Sequence, residues 1–237
     1  MKKLLAVLLA AALVVSMFAC TSAPEETKGT EAEKTTEATS QDTTAADETQ
    51  GESGEITPAA DGTYCSTEPI VNIGTFTKDQ VKAGVLITAV GQSGDDSMMA
   101  SIAKKAGVEA QNNATAKAED LANVGTLIVV TGASSKGLGA AGISTDDELA
   151  RAKALLSAAK DAGVVVIVAH IGGTSRRGTL SDEFIKVTFD YAQYFLVVDE
   201  GNAADGLFTN YAKSNNVPIT LVKSKTNLVD PIKALFN

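Results

Sequence analysis

One histidine, two cysteines and no run of basic residues narrow the functions open to this chain of 237 residues. A lone His170 with Cys20 and Cys65 cannot form the Cys/His spacings of a zinc site, so no metal is expected. No basic stripe marks a nucleic-acid surface. The nucleophile elbow G-x-S-x-G is also missing, which weakens any hydrolase of the Ser–His–acid type. No cofactor is expected.

Long apolar runs are scarce too, with one exception at the start. Lys2 and Lys3 precede the almost wholly apolar stretch Leu4 to Phe18, and Ala19-Cys20 follows. This is the pattern of an export signal over residues 1–19. At about 15 residues it is shorter than the roughly 20 that a membrane-spanning helix needs. Met17-Phe18-Ala19-Cys20 resembles the lipobox of bacterial lipoproteins, although Met17 stands where Leu is usual and Phe18 where a small residue is usual. The resemblance implies a lipidated Cys20 that anchors the protein to the outer face of the cytoplasmic membrane. Cys65 would then be the remaining thiol, unable to close an internal disulfide.

Residues 20–60 contain almost no large aliphatic side chain, Ile56 excepted. Thr, Glu, Ala, Ser and Asp dominate, and residues 21–60 hold ten acids against Lys28 and Lys34. Such a segment cannot bury enough apolar surface to offset its ordering entropy, so it reads as a disordered acidic tether. The net charge of −9 therefore mostly reflects the tether, and residues 61–237 carry −3.

Residues 61–84 form a lead-in with short extended pieces around Ile70 to Phe76. Residues 85–237 read as a single α/β domain. Strands are expected at Val85–Val90, Val108–Ala110, Leu127–Thr131, Val164–Ala169, Tyr194–Val198 and Ile219–Val222. Helical patterns fall between them near 96–106, 116–124, 145–162, 181–192 and 205–214, with a last one at 228–236. Thr145-Asp146-Asp147-Glu148 has the form of a capping box. Strictly alternating elements with short connections imply a three-layer α/β/α sandwich on a mostly parallel sheet of five or six strands. The expected order is flavodoxin-like (Rossmann-like), 2-1-3-4-5, with the sixth strand at one edge. Ligands of such sheets bind beyond the carboxyl ends of the strands, here between the loops starting at Gly91 and Gly132.

The polar residues at those strand ends are the candidate ligand-binding set: Gln92, Ser93, Asp95, Ser134, Ser135, Lys136, His170, Arg176, Arg177, Asp199 and Asn202. Each has a plainer reading. Asp95 could equally cap a helix, and His170 could be hydrogen-bonded structure rather than a base. Arg176 and Arg177 could pair with Asp199, Glu200 or Asp182 rather than fork a carboxylate or phosphate. Gly137-Leu138-Gly139-Ala140-Ala141-Gly142 is either a flexible loop of small residues or an anion cradle with Lys136 as counter-charge. Thr131-Gly132-Ala133-Ser134-Ser135 looks like the opening of the short-chain dehydrogenase motif, but Lys136 adds a residue before the next Gly. No Tyr has a Lys four positions later, so that family's catalytic pair is missing, and an exported protein does not ordinarily meet a nicotinamide pool.

The stretches ITAVGQSGDD, TGASSKGLGAAGI, AHIGGTSRRGTLSDEFI and VVDEGNAADGLF, spread over about Val85 to Phe236, resemble the domain of unknown function 6305. That is a family of exported bacterial proteins, and the resemblance implies an exported single domain without naming a ligand. The expected function is that of a membrane-tethered lipoprotein binding a small polar or anionic ligand. Two alternatives stand beside it. One is an extracytoplasmic hydrolase or transferase using His170 or Asp95. The other is an accessory module docking a membrane transporter or another envelope protein.

Overall fold

A computed structural model describes residues 68–237. The signal, Cys20, the tether, Cys65 and the first part of the lead-in lie outside the described residues. Seven strands make one sheet: β1 (Ile70–Ile73), β2 (Val85–Val90), β3 (Ala110–Asn112), β4 (Thr126–Thr131), β5 (Val165–His170), β6 (Tyr194–Val198) and β7 (Ile219–Val222). Their order is β1-β7-β6-β5-β4-β2-β3. All neighbours are parallel except β1, which runs antiparallel to β7. From β2 onward this is the expected doubly wound order. The lead-in supplies a seventh strand at the edge, one more than the five or six expected.

The continuous apolar runs split between two faces by simple alternation. Leu86, Val90, Leu127, Val129, Val166 and Val168 point to one core. Val85, Ile87, Ile128, Val130, Val165 and Ile167 point to the other. The first core is covered by α3 (Thr145–Asp161), α4 (Thr179–Phe189) and α6 (Leu207–Asn215). The second is covered by α1 (Asp95–Lys105) and α7 (Val229–Phe236). Each fully buried Leu, Ile or Phe contributes roughly 1.5–3 kcal/mol, so a six-residue strand buried throughout, such as β5, is a major anchor. Among the described residues no helix is long and apolar enough to cross a membrane.

Two segments depart from the sequence expectation. Residues after Gly132 form a helix, α2 (Ser135–Ala141), where a flexible loop or cradle was the expectation. The side chain of Ser134 caps it by accepting from the amide of Gly137, and Gly142 ends it in the left-handed conformation that glycine adopts without strain. Gly137 also lets the helix lie on the preceding loop, because a β-carbon there would come 1.7 Å from the carbonyl oxygen of Gln92. At α3 the cap sits one residue earlier than the sequence pattern suggests. Ser144 accepts from the amide of Asp147 at 3.1 Å and donates to its carboxylate at 2.6 Å. That shift frees Glu148 to turn inward. Smaller differences are the start of β3 at Ala110 and a short helix, α5 (Glu200–Ala203), in the loop expected between β6 and α6.

Candidate functional site

The strand order reverses at β2 and β4, and their loops meet there. A single antiparallel bridge joins Gln92 to Ala133. Gln92 adopts φ 55° to make it, and its side chain points down into the protein. Its amide donates to Ala114 O and to Glu148 Oε1, both at 3.0 Å. Glu148 is fully buried and also accepts from the amide of Gly91. Arg151 closes the network with two bonds to Glu148 and one each to the carbonyls of Ala116 and Ala89. A buried ion pair survives only with its remaining donors and acceptors satisfied, and this one holds the β2 loop from beneath. Glu148 reads as a surface capping acid in the sequence, and nothing local reveals this role.

Above the network, Asp95 opens α1 and meets two cations. Arg176 reaches it from the β5 loop, Nε to Oδ2 at 3.3 Å. Lys225 reaches it from beyond β7, Nζ to Oδ1 at 3.5 Å. The guanidinium of Arg176 also donates to Ser93 O at 3.1 Å and to Ala133 O at 3.5 Å, spanning three loops. The Arg176 side chain keeps 30% of its exposure and Lys225 40%, while Asp95 keeps 13%. Gly172 makes the approach feasible, since a β-carbon there would come 1.9 Å from Cγ of Arg176. Lys223 pairs with the buried Asp199 at 3.1 Å on the same edge. Lys223 and Lys225 were not read from the sequence. The available signal was their place directly after the last strand.

Ser93 is half-buried beside this cluster, and Ser135 and Lys136 are exposed on the first turn of α2. Other residues of the sequence-derived set are committed to the fold. Asn202 is fully buried and its Oδ1 accepts from the amides of Phe208 and Thr209, bonding α5 to α6. Arg177 is clamped by Asp182 and Asp205 and donates to the carbonyl of Gly201. Burial works against its charge, but the two carboxylates outweigh that and raise its pKa above the ordinary arginine value. Asp205 feels burial in the opposite sense and is nonetheless held below the usual carboxylate range by Arg177 and the amide of Leu207.

His170 ends β5 with no exposed surface. Nδ1 lies 3.0 Å from Thr131 O and Nε2 3.2 Å from Gly173 O. Burial lowers its pKa below 6.5, and although the two carbonyls favour the protonated ring, they do not reverse this. A neutral imidazole can donate to only one of those oxygens. The ring is a strut between the β4 and β5 ends, with both nitrogens turned to backbone.

No curated protein matches the chain. A solved structure of a protein assigned to the G-D-S-L lipolytic family, from Desulfitobacterium hafniense, aligns at 17% identity. The alignment covers 58% of this chain and 76% of that one, with a TM-score of 0.29, a likeness that bears on no residue here. The model of the family described as domain of unknown function DUF6305 matches residues 82–236, which include every strand from β2 on and all of the cationic edge. The chain belongs to that family.

Proposed function

We propose that this protein is a lipid-anchored extracytoplasmic domain that binds a small anion at the carboxyl edge of its sheet, between Arg176 and Lys225. The observation that carries the reading is the convergence of those two cations, from two separate loops, on one carboxylate. Asp95 neutralises only half of the charge gathered there, and both cations remain partly open to solvent. An arginine fork and an ammonium suit a carboxylate or phosphate. An incoming anion takes the place of Asp95 on the two cations, with Ser93 within the same group of loops. Anchoring through Cys20 is supported by the lipobox-like stretch alone. No observation favours the hydrolase or transferase reading through His170 or Asp95, because both ring nitrogens of His170 face backbone carbonyls and Asp95 is paired with Arg176 and Lys225.

A thermal-shift screen of the protein against phosphate, sulfate, and di- and tricarboxylates tests the reading. A ligand at a hundred times its Kd stabilises by about 2.7 kcal/mol, on the order of 5–10 °C in Tm for a domain of this size. The shift is expected to vanish in Arg176→Ala. A panel with no shift, or a shift that Arg176→Ala retains, refutes the site. Mass spectrometry of the mature N-terminus decides the anchor separately: diacylglycerol on Cys20 supports it, and an unmodified terminus overturns it.

A further inference from the structure

The helices over the second core, α1 and α7, leave part of that sheet face uncovered near β1. A cavity of about 680 Å³ lies there, walled by Ile70, Phe76, Pro231, Ala234 and Leu235 among others. Phe76 stacks flat on Tyr194, with ring centroids 4.7 Å apart and planes 7° from parallel. The stack leaves the cavity lined by an aromatic pair on one side and by α7 on another.

Three strands contribute a polar floor. The hydroxyl of Tyr194 donates to Thr220 Oγ1, and Thr220 donates in turn to Oδ1 of Asn72 on the facing position of β1. Because Thr220 spends its one proton on Oδ1 of Asn72, it accepts from Tyr194. The Asn72 amide is thereby engaged through its oxygen. Its oxygen is held by β7, and its two N–H donors are left for whatever enters the cavity. Burial raises the Tyr194 pKa to about 12, so its hydroxyl keeps its proton across neutral pH. Among the described residues lining the cavity, the exposed Asp230 brings a carboxylate to its rim.

We infer that this cavity is a second binding site, separate from the cationic edge, for a compact uncharged molecule with an apolar body and a carbonyl oxygen. The volume falls in the range of small-molecule sites, and apolar walls with a few fixed polar groups are their usual composition. The Asn72 donors select an acceptor, the aromatic wall packs the apolar body, and the Asp230 carboxylate disfavours anions. The two sites therefore take opposite ligand classes.

The test is fluorine relaxation of 4-fluorobenzamide in the presence of the full chain, with 4-fluorobenzoate as its anionic counterpart. The benzamide is expected to bind about fivefold or more tightly than the benzoate, the factor one nearby like charge imposes near water. Ala234→Phe places a ring in the cavity from an exposed helical position and is expected to abolish binding while circular dichroism and Tm stay unchanged. Ala234→Arg, which closes the mouth with a long stem, is a second variant should the phenyl ring disturb the fold. Absence of benzamide binding, binding retained in a folded Ala234 variant, or equal affinity for the benzoate overturns the proposal. An anion shift at Arg176 is read in a separate assay, so either site can fail without the other.

Discussion

Gly201 lies so close to His170 that a β-carbon on it would stand 2.3 Å from Cδ2 and 2.6 Å from Nε2 of the ring. The contact joins the start of α5 to the end of β5, and neither residue has room to move. Gly201→Ala is therefore expected to destabilise the fold by about 1–3 kcal/mol through overpacking. Urea unfolding measures it, and an unchanged midpoint would show that the ring is free to shift.

The same ring gives the protein a pH response. Burial holds the His170 pKa below 6.5, so the unfolded chain takes up the proton first. Stability therefore falls as pH drops through 6.5 toward the folded pKa, by at most about 1.4 kcal/mol per pH unit. The depressed Asp205 carboxyl acts in a lower window, losing its contribution as pH falls below 3.8. His170→Asn is expected to flatten the Tm profile between pH 7 and 5. An equally steep variant would assign the slope to other groups.

Removing one partner of the Glu148–Arg151 pair strands the other in the interior. Arg151→Met and Glu148→Gln are each expected to cost about 3–5 kcal/mol, and the double replacement less than their sum. Denaturant unfolding of the three variants provides the check, and additive costs would mean that the two residues act independently.

Asp95 competes with any anion for Arg176 and Lys225. Asp95→Asn is expected to tighten phosphate or carboxylate binding about tenfold, by removing both a competitor and a like charge. Isothermal titration measures it. Weakened binding in the variant would mean that Asp95 itself contacts the ligand.

The strands were readable because a parallel strand covered on both faces is a short, unbroken apolar run, as in Val164 to Ala169. Their order followed from alternation and crossover handedness. The pairing of β1 was not readable, since Asn72 and Thr220 meet across 148 residues. The helix α2 was hidden by its own composition. Gly137 and Gly139 weaken a helix by about 1 kcal/mol each, and only the contact with Gln92 O explains why glycine stands at 137. At the site, Asp95 and Arg176 were legible as polar groups at strand ends. Lys225 was not, because its link to Asp95 depends on the packing of α1 against α7, the helix that follows the Lys225 turn.

The antiparallel run of β1 also gives the domain a direction. Ile70 lies opposite Val222 and Ile73 opposite Ile219, so the chain comes in at the carboxyl edge, where Pro69 O accepts from the amide of Lys223. It leaves at the other end, where Asn237 bonds the carbonyl of Ala106 in the closing turn of α1. A bead or sensor attached directly at Glu68 therefore stands on the side of the cationic loops and shadows the Arg176 edge, whereas one attached at Asn237 leaves it open.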